Sequence, residues 1–226
     1  MSSASRARQR RARSKHTFSS SGIVPYLIIG AGVAALFGLA ILLTRSDGGG
    51  GTATIERRET APVSIQGDAL PAFESTENDP AVGMKMPAIS GSDFSGRNVK
   101  IADDGTPRIV MFLAHWCPHC QAEVPKVQEW LDGGATHGHL DLISVVTGTD
   151  STQPNYPPSE WLSRESWTAP VILDDESSSA GTAAGLTGYP FFVFVDGDGT
   201  VSARASGELS IETIEAAASG LKHEEP

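Results

Sequence analysis

Residues 23–43, "IVPYLIIGAGVAALFGLAILL", run 21 positions without a charged side chain. A helix rises about 1.5 Å per residue and needs about 20 apolar residues to cross a bilayer. The run therefore predicts a transmembrane helix, and it divides the chain. Before it, residues 1–22 carry Arg6, Arg8, Arg10, Arg11, Arg13 and Lys15 with no Asp or Glu, a composition too polar to build a core. Beyond it only Arg45 flanks the span, so the charge bias predicts a cytoplasmic N-terminus and an extracytoplasmic remainder at the cell membrane. A cleaved signal peptide is the competing reading, but its apolar core runs about 7–15 residues before a small-residue cleavage site. Here the run is longer and "TRSDGGGG" follows, which favours an uncleaved anchor. Gly30, Ala34 and Gly38 recur every four residues within it, a small-residue stripe through which two anchors could pair as a weak homodimer.

The same division governs the charge. Of 17 basic residues, 6 precede residue 44, while all 27 acidic residues follow it, leaving 11 against 27 and a net charge of −16 on the outer part. That balance argues against nucleic acid as a partner. Residues 44–80 are rich in Gly, Pro, Thr and acids without sustained periodicity. They read as a flexible linker with a root-mean-square reach on the order of 35 Å.

Residues 81–226 form the expected globular domain. "RIVMFLAHW" (108–116), "DLISVVTG" (141–148) and "PVILDD" (170–175) are short apolar runs of the kind buried strands show. "PFFVFVDGDGTVSARASG" (190–207) splits at its DGDG turn into a hairpin, and 84–102 reads as a smaller N-terminal hairpin. Helical stretches lie at 120–131, 158–166, 178–186 and 210–222, the last opened by Ser210 and Thr213 as N-cap chemistry. Strands alternating with helices predict an α/β domain with a mixed central sheet flanked by helices.

Both cysteines of the chain lie in "HWCPHC", residues 115–120. A strand running directly into a helix here puts Cys117 at the helix N-terminus, where unpaired N–H groups and the macrodipole favour a thiolate. Pro118 suits the first helical turn. His119, within reach of the sulfur, can supply charge or a hydrogen bond to that thiolate, and Cys120 falls on the same face, able to close a disulfide. Each pKa unit of thiolate stabilisation makes the disulfide more oxidising by roughly 30 mV. Metal binding is an alternative: His115, Cys117, His119 and Cys120 are zinc or copper ligand types, with His137 and His139 as distal candidates. Against it, metal sites of this kind usually pair two knuckles across a long loop, and no second CxxC occurs. An inert clip is a third reading, but so short a loop gains little closure entropy.

"FLAHWCPHCQAEVPKV" and "GLTGYPFFVFVDGDGTV" together resemble membrane-anchored thioredoxin-like proteins of the TlpA/ResA type, over about residues 80–222. The resemblance implies a thioredoxin-like fold and a thiol–disulfide oxidoreductase whose redox-active Cys117–Cys120 disulfide serves in place of any cofactor. Cys117 would attack or be attacked and Cys120 would resolve the mixed disulfide. It implies a cis Tyr189–Pro190 bond beside the cysteines, whose exposed backbone pairs with an extended client, with Trp116 and Tyr189 at the client-binding surface. Glu123 falls where the family carries an acid after the CxxC and would exchange a proton with the resolving thiol. The implied partners are extracytoplasmic proteins with cysteines and an electron partner in or beyond the membrane. Two departures stand out. Met111 occupies the position of the buried Asp of thioredoxins proper, and Pro118-His119 is the dipeptide of DsbA-like oxidases, so either disulfide formation or reduction is open. Pro125 removes a backbone donor inside the helix and predicts a kink. No peroxidatic Thr–Cys motif occurs.

Overall fold

Among the residues described by the computed structural model, 57–135 and 140–223, the chain forms β1 (Ser64–Gln66), β2 (Ala88–Ser92), β3 (Asn98–Ile101), β4 (Arg108–Leu113), α1 (Pro118–Asp132), β5 (Asp141–Val146), α2 (Pro158–Arg164), β6 (Val171–Leu173), α3 (Ser179–Ala183), β7 (Phe191–Val195), β8 (Val201–Ser206) and α4 (Ile211–Ser219). The basic tail, the span 23–43 with its small-residue stripe, residues 44–56, and His137 and His139 lie outside the described residues. Among those described, no helix is long and apolar enough to cross a membrane.

Five strands make a mixed sheet in the order β6-β5-β4-β7-β8. β4 pairs in parallel with β5 and antiparallel with β7, and every residue of β4 is buried. The cause is coverage on both faces, which turns a strand into a continuous apolar run in place of an alternating one. Ile109, Met111 and Leu113 join Val124 and Val127 of α1, Trp161 and Leu162 of α2 and Ile214 of α4 in one cluster. Val110 and Phe112 point the other way, into a second cluster with Ala180 and Ala184, and with Ile89 and Ile101 of the small antiparallel sheet β1-β2-β3. This is the expected thioredoxin-like α/β arrangement, with the β2–β3 and β7–β8 hairpins where the turn residues put them. α1 stays continuous through Pro125 to Asp132, and Ser210 Oγ caps α4 by accepting from the Thr213 N–H at 3.2 Å.

The flexible linker expected over residues 44–80 requires correction from residue 57 on. Ala61, Leu70 and Phe73 are buried, and Ser64–Gln66 is a strand paired with β2. Backbone N–H groups of Leu70 and Phe73 donate to Ala183 and Gly185 carbonyls at 2.9 and 2.8 Å. The segment is pinned by a residue far away in sequence. Arg204 of β8 is fully buried, and a buried guanidinium must be paired and hydrogen-bonded. Its Nε donates to Asp79 Oδ2 at 2.8 Å, its Nη2 to Asp79 Oδ1, and its Nη1 to the carbonyls of Pro71 and Ala184 at 2.9 and 3.0 Å. Composition alone reads 57–80 as linker because the charge that orders it comes from the last strand. Gly185 closes the joint: it sits at φ +75°, and a Cβ there would lie 2.2 Å from the Pro71 carbonyl oxygen.

Candidate active site

β4 ends at Leu113, and a short turn delivers Cys117 as the N-cap of α1, with φ −75° and ψ 120° and with Pro118 in the first turn. The Gln121 N–H closes onto the Cys117 carbonyl at 3.1 Å. Cys117 is 6% exposed and Cys120 is fully buried behind it, so an incoming group meets Cys117 first. The Cys117 thiol donates to the Tyr189 carbonyl at 3.7 Å, and Tyr189–Pro190 is cis. The two motifs, 73 positions apart in sequence, thus meet at one sulfur.

Trp116 and Tyr189 wall this point. Their rings meet edge to face at 5.5 Å, and Trp116 Nε1 donates to the Gly148 carbonyl at 2.7 Å. Gly148 is at φ +61°, where a Cβ would lie 2.8 Å from the Tyr189 hydroxyl, so a side chain there would displace the tyrosine. Nothing in "TGTD" announces this role, because it depends on a neighbour brought in by β7.

His119 is not where the thiolate argument puts it. Its side chain is 66% exposed, and Nδ1 donates to Glu208 Oε1 at 2.8 Å. The carboxylate, 89 positions away in sequence, draws the ring outward; no hydrogen bond from His119 to either sulfur occurs among the described residues. His115 is fully buried with both ring nitrogens engaged: Nδ1 donates to the Pro154 carbonyl at 2.7 Å and Nε2 accepts from the Asp150 N–H at 3.2 Å. That pattern fixes one neutral tautomer and leaves no lone pair for a metal. Among the described residues no group of three or more His, Cys, Asp or Glu is arranged to hold a metal ion.

Glu123 lies on the buried side of α1 and is fully buried. Oε1 accepts from the Leu209 N–H at 3.0 Å, whereas Oε2 has no hydrogen-bond partner, the Lys126 ammonium standing 3.6 Å away. Burial pushes the Glu123 carboxyl above the usual range, against the Leu209 bond and the Lys126 charge, which lower it. Cys120 is pushed up strongly, by burial first and further by the charges of Cys117 and Glu123. With Met111 buried in β4, the buried carboxylate of this site comes from the helix and not from the strand. Sequence reasoning missed Lys126 and Glu208. Lys126 was legible in principle, three residues beyond Glu123 on a helix; Glu208 carried no local signal.

A thioredoxin-like sheet that presents two neighbouring thiols at a helix start, the outer one beside a cis-proline, defines a thiol–disulfide oxidoreductase. The chain belongs to the redoxin family, whose model matches residues 81–220. It is 26% identical over 150 residues to the thiol:disulfide interchange protein DsbE of Pasteurella multocida, covering 65% of this chain and 76% of that protein. It is 28% identical over 109 residues to sporulation thiol-disulfide oxidoreductase A of Bacillus subtilis, covering 46% and 61%. Among solved structures, StoA from Bacillus subtilis superposes with a TM-score of 0.50 at 20% identity, over 61% of this chain and 98% of that one. A thiol:disulfide interchange protein from Chlorobium tepidum does so with a TM-score of 0.50 at 24% identity, over 60% and 93%. These superpositions show the shared fold.

Proposed function

We propose that the protein is a membrane-anchored, extracytoplasmic thiol–disulfide oxidoreductase of the TlpA/ResA type that reduces disulfides in client proteins through Cys117 and Cys120. The observation that carries the reading is the Cys117 sulfur placed 3.7 Å from the Tyr189 carbonyl, with Cys120 buried behind it. The Cys117 thiolate attacks a client disulfide, forming a mixed disulfide and releasing one client thiolate. Cys120 then gives its proton to the Glu123 carboxylate and attacks the Cys117 sulfur. The second client thiolate leaves, two electrons have passed to the client, and the Cys117–Cys120 disulfide remains for a thiol electron partner to reduce. An extended client strand pairs with the Tyr189 backbone, between the Trp116 and Tyr189 rings.

Two observations support the reductive direction over oxidation. His119 pairs with Glu208 and not with the sulfur, and burial disfavours the Cys120 anion; a less stabilised dithiolate makes the disulfide harder to reduce. The relatives' names support thiol–disulfide interchange chemistry. The uncharged run 23–43 with its basic N-terminal flank supports the anchor and the cytoplasmic N-terminus, and the acidic outer part is unsuited to nucleic acid. The disulfide itself is the redox group of the proposal. A copper or zinc carrier is less well supported, since His115 is fully engaged.

The test is trapping. Cys120→Ser in the full-length chain should accumulate a mixed disulfide with disulfide-bearing clients at the membrane, resolved on non-reducing gels, while Cys117→Ser should trap none and lose insulin reduction. Equal trapping by both variants, or stoichiometric metal with no thiol exchange, would overturn the proposal.

A further inference from the structure

His119, Glu123 and Lys126 stand at i, i+4 and i+7 along α1, on one face of the helix. All three are met by two consecutive residues of the loop between β8 and α4. Glu208 takes the His119 Nδ1–H on Oε1 at 2.8 Å and the Lys126 ammonium on Oε2 at 2.8 Å. The Leu209 N–H bonds Glu123 at 3.0 Å. One half-exposed carboxylate therefore holds the side chains of both His119 and Lys126. Lys126 lies closer to Glu208 than to Glu123, 2.8 against 3.6 Å.

We propose that Glu208 is a positioning residue that holds His119 away from Cys117 and so keeps the disulfide of this CPHC pair more reducing than the dipeptide alone would make it. This rests on the exchange function proposed above and assigns the residue that biases its direction. An imidazole between two cysteines can donate to the outer thiolate, but its Nδ1–H can serve one acceptor at a time. Here the acceptor is a carboxylate fixed by the Lys126 ammonium. Lys126 holds Glu208 in place, and Glu208 holds the ring. With Glu208 neutralised, the imidazole is free to turn to the sulfur, the thiolate is stabilised, and the dithiol form gains on the disulfide.

The experiment equilibrates the purified full-length chain with glutathione and glutathione disulfide, where two protein thiols pass two electrons to one glutathione disulfide and two glutathione thiols form. Glu208→Gln should shift the equilibrium constant about tenfold toward the dithiol, about 30 mV for a two-electron couple, and lower the pH at which Cys117 is alkylated. In a His119→Gln background the same substitution should shift it less than twofold, and Glu208→Asp should restore most of the wild-type value. An unshifted Glu208→Gln variant overturns the proposal. So does an equal shift with and without His119, which would mean that the carboxylate acts on the sulfur directly through its charge. A wild-type chain that forms no Cys117–Cys120 disulfide in glutathione overturns the exchange function as well, whereas normal exchange with no shift overturns this assignment alone.

Discussion

Glu123 accepts a hydrogen bond from the Leu209 N–H through one carboxylate oxygen and leaves the other, buried, without a hydrogen-bond partner. A group so placed has its neutral form favoured by burial, and its pKa is raised in the fold. The native state therefore binds the proton more tightly than the unfolded chain. Stability falls as pH rises from the ordinary carboxylate range through the raised value, and the cost persists above it. Glu123→Gln should remove this loss, flattening thermal stability from the ordinary carboxylate range upward, while slowing resolution of the mixed disulfide by about 10²-fold, within the range of general acid–base effects. Stopped-flow exchange against pH, beside thermal melts of the same variant, checks both. An unchanged exchange rate across neutral pH would remove Glu123 from the chemistry.

Asp79 and Arg204 make the opposite case. The Arg204 hydrogen bond holds the Asp79 carboxyl below its usual value, against the effect of burial. The pair's contribution is present above the ordinary carboxylate range and is lost as pH falls through the depressed folded value. Asp79→Ala strands a buried guanidinium and should cost about 3–5 kcal/mol in urea unfolding, whereas replacing both partners by apolar residues should cost much less. Equal losses from the single and double changes would show that the segment is held by packing and not by charge.

Gly185→Ala places a methyl against the Pro71 carbonyl at a left-handed backbone position. Strain of this kind costs on the order of 1–3 kcal/mol, and the clash adds to it. Proteolysis of the variant should open first within residues 57–80, with the five-stranded sheet still intact by circular dichroism.

Trp116→Phe keeps a ring against Tyr189 but removes the 2.7 Å bond to Gly148. Losing such a bond costs roughly 1 kcal/mol. KM for a client peptide should rise several-fold with kcat nearly unchanged, as a surface that binds ground and transition states alike requires.

The central sheet was legible in the sequence because its signals are local. β4, β5, β6 and β7 announce themselves as short, mostly apolar runs, DGDG makes the hairpin turn, and Cys117-Pro118 carries the start of α1 within consecutive residues. The meeting of Cys117 with the Tyr189–Pro190 segment was also anticipated, through the resemblance of the two motifs to a family in which they adjoin. Three things were decided only in the tertiary structure. Residues 57–80 look like tether until Arg204, 125 positions beyond Asp79, supplies the buried charge that orders them. His119 looks like a thiolate donor until Glu208 claims its ring. Gly148 looks like an ordinary loop glycine until Tyr189 fills the space that a side chain would take. In each case the reason is the same: the competing partner lies dozens of residues away, and local pattern cannot weigh a partner that only folding brings within 3 Å.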